Sequence, residues 1–261
     1  MSLETMRRRL RDALPRSLGL CLTLRANPIL GVLFRLFRKR FHLEGMAFDV
    51  PLSGQTWSSL ATYWFNDYEL PERRYCRQYI QPSDAVCELG GCLGVVSMVI
   101  NRRLSNPERH LVIEANPLLI PLLNHNRERN CGGFKVLNRA VGDGLPLQLD
   151  VSSGLLTSHR TSSPGQTVKT VDGCTLDGLF AEHGPFDVIV MDVEGAEQQV
   201  LLGESVAWKK VRAIIVEWHP SIIGEAALRD ARQALADAGF ECSASQAGAL
   251  HVVEAWERTA K

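Results

Sequence analysis

The run Ala85-Val86-Cys87-Glu88-Leu89-Gly90-Gly91-Cys92-Leu93-Gly94 narrows the choice of fold more than any other stretch of this chain. Its first half reads as a short buried strand with an acid near its end. Its second half is a glycine-rich turn, and the apolar spacing that follows opens a helix. A second apolar strand, Leu111-Val112-Ile113, arrives about twenty residues later and is closed by Glu114. Strand, glycine turn, helix, strand and acid make up the signature of a nucleoside-binding βαβ unit.

The rest of the chain keeps this rhythm. Strands are predicted near 85–89, 110–114, 134–139, 186–191, 211–217 and 249–254, and helices near 94–104, 117–130, 176–182, 196–202 and 224–238. Alternation of this kind implies a mainly parallel sheet covered on both faces. Asn116-Pro117 supplies a cap and a first-turn proline for the second helix, and Gly239 ends the last. Between residues 140 and 175 the alternation breaks. Leu145–Val151 and Gln166–Val171 instead look like two strands flanking a polar tip, a flap at the edge of the ligand crevice.

Three regions are expected. Residues 84–261 form the ligand-binding domain, and 43–83 connect to it on the substrate side. That connector holds Trp57, Tyr63, Trp64, Phe65 and Tyr68, a small hairpin near 43–50 and a helix from Pro71 to Ile80. Residues 1–42 form a basic amphipathic helical extension. It has ten Arg or Lys against two acids, so a chain of zero net charge divides into a +8 arm and a −8 body. Two placements suit the arm: a membrane interface, or the protein's own acidic body. Nucleic acid is not expected, because the body would repel phosphate. No apolar run reaches the roughly 20 residues of a membrane span, and no secretory signal is read at the N-terminus. The seven cysteines include no CxxC pair and suit reduced thiols in a cytoplasmic protein.

Ligands of parallel sheets sit beyond the carboxyl ends of the strands. Glu88, Glu114 with Ala115 and Asn116, Ala140, Asp192 and Glu217 to His219 all fall there and are expected to converge. A dinucleotide would need a glycine where Cys92 stands, and Glu88 would repel its pyrophosphate. A ligand carrying an ammonium and a sulfonium suits these acids better, which points to S-adenosylmethionine rather than NAD. In this reading Gly90 and Gly91 admit the methionine part, Gly94 lets the helix pack closely, and Glu114 accepts both ribose hydroxyls.

Two further runs carry the chemistry. In Asp187-Val188-Ile189-Val190-Met191-Asp192-Val193-Glu194-Gly195-Ala196-Glu197, Asp192 ends a core strand and faces the transfer position. Glu194 either orients or deprotonates the acceptor or only favours a helix N-terminus, and Glu197 is expected to do the latter. In Ile214-Ile215-Val216-Glu217-Trp218-His219-Pro220, His219 is a candidate general base, the alternative being an acid of the Asp192–Glu194 pair.

The runs CELGGCLG, VIEANP, NRAVGD, DVIVMDVEGAEQQVLLG and IIVEWHP resemble the FkbM family of S-adenosylmethionine-dependent methyltransferases, over residues 65–220. The resemblance implies an α/β class I (Rossmann-like) fold. Its seven-stranded, mostly parallel sheet has the order 3-2-1-4-5-7-6, with the seventh strand antiparallel. It implies cofactor roles for Glu88, Gly90, Gly94, Glu114 and Asn116, a central role for Asp192, and a hydroxyl acceptor on a small molecule, polyketide or glycan. Glu88 stands where the family usually has Asp, and Val190 where it often has Lys. Asp192, Glu194 and Glu217 offer hard oxygen ligands, but in-line transfer from a sulfonium needs no metal, and metal-free transfer is expected. The competing readings are an NAD(P) oxidoreductase, opposed by the missing glycine, and a non-catalytic adapter that docks through its basic arm.

Overall fold

The computed structural model describes residues 28–37, 40–51, 57–64, 67–150, 159–160, 168–203, 205–248 and 251–259. These fall into two compact units divided between Tyr68 and Glu69. Residues 1–27 of the expected basic helical extension, and most of the polar flap tip, lie outside the described residues.

In the smaller unit, helix α1 (Pro28–Phe37) begins at the proline expected to start it. The hairpin runs from β1 (Arg40–Leu43) to β2 (Met46–Asp49) and turns on Glu44 and Gly45, both left-handed. Helix α2 (Trp57–Thr62) completes the unit. Phe34 packs on Tyr63 with ring centroids 5.4 Å apart, and Phe41 on Tyr63 at 4.8 Å. The Trp64 indole donates to the Leu30 carbonyl at 2.9 Å. The aromatic residues before the main domain therefore include the core of this unit. The boundary lies earlier than the expected 83/84, because helix α3 (Leu70–Tyr79) gives Tyr75, Cys76 and Tyr79 to the core of the larger unit.

The larger unit is built on a sheet of seven strands. In chain order it comprises β3 (Val86–Leu89), helix α4 (Val95–Asn101), β4 (His110–Glu114), helix α5 (Ile120–Arg129) and β5 (Lys135–Asn138). Next come the short β6 (Ala140–Val141), β7 (Leu147–Asp150), β8 (His159–Arg160), β9 (Val168–Val171) and β10 (Gly173–Cys174). Helix α6 (Leu176–His183), β11 (Val188–Met191), helix α7 (Glu197–Leu202) and β12 (Ala213–Trp218) follow. Helix α8 (Pro220–Asp237), β13 (Phe240–Ala247) and β14 (Val252–Arg258) complete the chain. The main sheet has the order β13-β14-β12-β11-β3-β4-β5, with β14 antiparallel to both neighbours. This is the order and the single reversed strand that the resemblance implies. β13 was not legible as a strand: it is an edge strand whose residues are mostly exposed, so it lacks an apolar run. β7, β8 and β9 form a separate three-stranded sheet, so the predicted flap strands exist.

Residues alternate between the two faces with the pleat. Val188 and Val190 join Tyr75, Cys76, Val96 and Ile100 on one side. Ile189 and Met191 join Leu179, Val200, Trp208 and Leu228 on the other. Among the described residues, no helix is long and apolar enough to cross a membrane.

A buried ion pair ties the strand entrances together. Asp84 accepts from Arg212 Nε at 3.0 Å, from a second Arg212 nitrogen, and from the Gln81 amide at 2.6 Å. Arg212 also donates to the Tyr79 carbonyl at 2.8 Å. Breaking such a pair from one side strands the other charge at a cost of about 3–5 kcal/mol when fully buried. Arg212 keeps some access to water, so Asp84→Asn is expected to lower unfolding free energy by about 2–3 kcal/mol in urea titrations.

Candidate active site

β3, β11 and β12 are in register, with Met191 opposite both Leu89 and Val216. The residues that follow these strands therefore emerge side by side. The turn after β3 is fixed by Gly90, whose φ of 97° suits glycine. Its amide donates to the Ile113 carbonyl at 2.8 Å. A Cβ at Gly90 would stand 1.8 Å from the Asp192 carbonyl oxygen, so the two strand ends touch through backbone alone. At Gly91 the limit comes from Val112 and Leu123, which a Cβ would meet at 2.5 and 2.7 Å. Gly94 is the left-handed residue that starts α4.

Glu114, at the end of β4, holds the glycine turn and its own loop. Its Oε2 accepts the Cys92 amide at 2.7 Å, and its Oε1 accepts the Asn116 amide at 2.6 Å. Burial pushes its carboxyl pKa up, and these backbone donors oppose the shift. Asn116 is buried and caps the next turn by accepting from Leu118 N at 3.0 Å. Ala115 and Ala140 pack together beside Leu149 and Val171.

Glu88, near the end of β3, already has partners. Its oxygens pair with Ser97 Oγ at 2.8 Å and His110 Nε2 at 2.9 Å inside the domain. Its parity along β3 turns it toward α4, and it also lines the crevice at the glycine turn. Another acid, which sequence reasoning missed, is free for a cation. Glu72 of α3 is only 4% exposed, and among the described residues neither carboxylate oxygen has a hydrogen-bond partner. It lines a crevice together with Gly90, Gly91, Met191, Asp192 and Glu217. The available signal was its place in a helix just before the first core strand, but nothing there distinguished it from a solvated acid.

Asp192, Glu194 and His219 are brought together as expected. Glu194 and Gly195 are successive left-handed residues, with φ of 47° and 102°, and they turn the chain between β11 and α7. His219 follows β12 and is nine-tenths buried. Its Nδ1 donates to Glu197 Oε1 at 2.6 Å. Its Nε2 faces Glu217 Oε1 at 3.4 Å, Glu194 Oε2 at 3.5 Å and Asp192 Oδ1 at 3.7 Å. Glu197 is fully buried and also accepts the Gly195 amide at 3.1 Å. It is thus a positioning residue for the histidine rather than only a favourable charge at a helix start.

The electrostatics revise one expectation. Burial disfavours the imidazolium of His219, but Glu197 and Glu217, with Asp192 and Glu194, outweigh it and raise its pKa to about 11. A histidine held protonated has no lone pair with which to act as a general base at neutral pH. Loss of hydration, helped by Glu194, pushes the Asp192 carboxyl up to about 7, with His219 opposing. Further back, Glu254 fixes the end of β12 by accepting from the Trp218 indole at 2.8 Å, the Trp256 indole at 3.0 Å and Arg232 at 2.7 Å.

The family model of the methyltransferase FkbM domain matches residues 89–242. No curated protein matches the chain. Among solved structures, it is similar to a precorrin-6y C5,15-methyltransferase from Geobacter metallireducens GS-15. That match has 10% identity and a TM-score of 0.47, covering 81% of this chain and 93% of that one. An O-methyltransferase from Bacillus cereus in complex with SAH aligns at 15% identity and a TM-score of 0.48, covering 72% and 81%. A ribosomal protein L11 methylase from Lactobacillus delbrueckii subsp. bulgaricus aligns at 13% and 0.45, covering 75% and 80%.

Proposed function

Because this chain belongs to the FkbM methyltransferase family, an S-adenosylmethionine-dependent family, we propose that it transfers the methyl group to a hydroxyl oxygen of a small molecule or a glycan or lipid-linked sugar. The observation that carries the reading is the acidic crevice at the ends of β3, β11 and β12. There the buried Glu72 carboxylate has no hydrogen-bond partner among the described residues and Gly90 leaves no room for a side chain. A buried, unpaired carboxylate is costly unless a cation meets it. This suits the ammonium and sulfonium of S-adenosylmethionine and repels a pyrophosphate.

The residues divide the work as follows. Glu114 has two hydrogen bonds to backbone and, with about four acceptor positions on a carboxylate, keeps capacity for ribose hydroxyls. Glu72 meets the cationic end of the cofactor. When bound, the cofactor supplies an activated methyl group on a positive sulfur. The Asp192–Glu194–His219 cluster forms the polar floor that orients an acceptor hydroxyl, and a carboxylate of that cluster receives its proton. Orienting two reactants accounts for much of such a rate enhancement.

Isothermal titration of S-adenosylmethionine tests the cofactor half. Glu72→Gln keeps the shape but removes the charge, and a lost charge-assisted hydrogen bond is worth roughly 10- to 100-fold in affinity. An unchanged affinity would refute the role of Glu72. Isotopically labelled methyl donor, incubated with hydroxylated acceptors and a native extract and followed by mass spectrometry, tests the acceptor. Label recovered on nitrogen or carbon would overturn the assignment to oxygen.

A further inference from the structure

We propose that Asp192, Glu194 and His219 bind one divalent first-row transition-metal ion at the floor of the crevice, with Glu197 orienting the histidine. One oxygen of each carboxylate and one ring nitrogen lie within 4.8 Å of one another. The Nε2 of His219 is 3.5 Å from Glu194 Oε2 and 3.7 Å from Asp192 Oδ1. Ligand atoms around such an ion, each about 2.0–2.2 Å from it, stand roughly 3.0–3.5 Å apart. Small side-chain rotations close the difference, and Asp192 and Glu194 have the freedom for it, being 30% and 34% exposed.

The histidine argues for more than a cluster of acids. It is nine-tenths buried, and its Nδ1 is anchored on the fully buried Glu197. That anchor leaves Nε2 aimed into Asp192, Glu194 and, at 3.4 Å, Glu217, each farther away than the 2.7–2.9 Å or so of a charge-assisted hydrogen bond, and a bound metal ion would displace the proton that Nε2 otherwise holds. Asp192 Oδ1 is likewise buried and has no hydrogen-bond partner among the described residues. A carboxylate on one imidazole nitrogen with the other facing open ligand positions is the arrangement that fixes metal-binding histidines. One nitrogen with two carboxylates selects Mn²⁺, Fe²⁺, Co²⁺ or Zn²⁺ over Mg²⁺ and Ca²⁺, which prefer oxygen alone. An ion here would replace the metal-free transfer expected from sequence. Such an ion would lower the pKa of an acceptor hydroxyl. That use rests on the methyltransferase reading, whereas the binding site itself does not.

Mn²⁺ titrated into the full chain and followed by electron paramagnetic resonance is the test, because binding quenches the six-line signal of the free ion. One Mn²⁺ per chain is expected, with a dissociation constant below about 100 μM. Glu194→Gln and His219→Ala are expected to weaken it at least tenfold, and Glu197→Gln by about 10- to 100-fold through loss of orientation. Circular dichroism identifies any variant that fails to fold, and the partly exposed Glu194 keeps the test open if the buried Glu197 variant does so. A free-ion signal undiminished to 1 mM Mn²⁺, or a folded Glu194→Gln that binds like the parent, would show an ion-pair cluster only and overturn the proposal. Calorimetry with S-adenosylmethionine on the same sample separates the two readings. If the nucleoside binds and Mn²⁺ does not, this site falls alone; if Mn²⁺ binds and the nucleoside does not, the methyltransferase reading falls.

Discussion

Gly90→Ala is expected to lower S-adenosylmethionine affinity more than a hundredfold and to destabilise the fold by about 3 kcal/mol or more. Two costs add. The left-handed φ of 97° penalises any Cβ by about 1–2 kcal/mol. The new methyl would also stand 1.8 Å from the Asp192 carbonyl oxygen, which is main chain and cannot rotate away. Relieving that overlap means parting the ends of β3 and β11, and overpacking of this kind costs about 1–3 kcal/mol more. The separation displaces Asp192, so the damage reaches both cofactor and acceptor positions. Gly45→Ala is the control, since it shares a positive φ but meets nothing within 4 Å. It should lose only the about 1–2 kcal/mol of backbone strain and leave binding intact. Urea unfolding and calorimetry on both variants measure the difference. Equal losses for the two would show that the contact with Asp192 does not matter.

Glu114→Gln is expected to weaken S-adenosylmethionine binding about a hundredfold and stability by about 2–3 kcal/mol. Both carboxylate oxygens accept main-chain amides, at 2.6 and 2.7 Å. A glutamine keeps one acceptor and turns an NH₂ group against the other amide, leaving two donors facing each other. Either the turn at Cys92 or the loop at Asn116 is then released. Glu114→Asp keeps the charge but is one methylene too short to reach both amides, so it should fall between the two. Binding by Glu114→Gln equal to that of the parent protein would remove Glu114 from the cofactor site.

What could be read from the sequence followed from physics local to each segment. Glu88 through Gly94, Leu111 through Glu114 and Val188 through Asp192 announce themselves because a fully buried parallel strand is apolar and its turn needs glycine. The convergence of Asp192, Glu194 and His219 follows from strand ends meeting at one edge of the sheet. Side-chain partners were not legible. Glu88 and Glu72 are both acids near the first core strand. Both line the crevice, but the alternation of β3 pairs Glu88 with Ser97 and His110, whereas the helical face that brings Glu72 there gives its carboxylate no hydrogen bond among the described residues. Glu197 looked like a charge favouring a helix start, because its histidine partner lies 22 residues away. β13 escaped notice because an edge strand facing water needs no apolar alternation.

The central position of β11 has a consequence for how this protein reaches its working state. β11 pairs with β3, about a hundred residues earlier, and with β12, which is synthesised after it. A growing chain emerging from the ribosome therefore cannot present a half-built crevice, because Gly90 finds the Asp192 backbone only once most of the larger unit exists. Ligand recognition is then an all-or-none property of the finished sheet, and any bound molecule lends its free energy to the entire cooperative unit rather than to one loop.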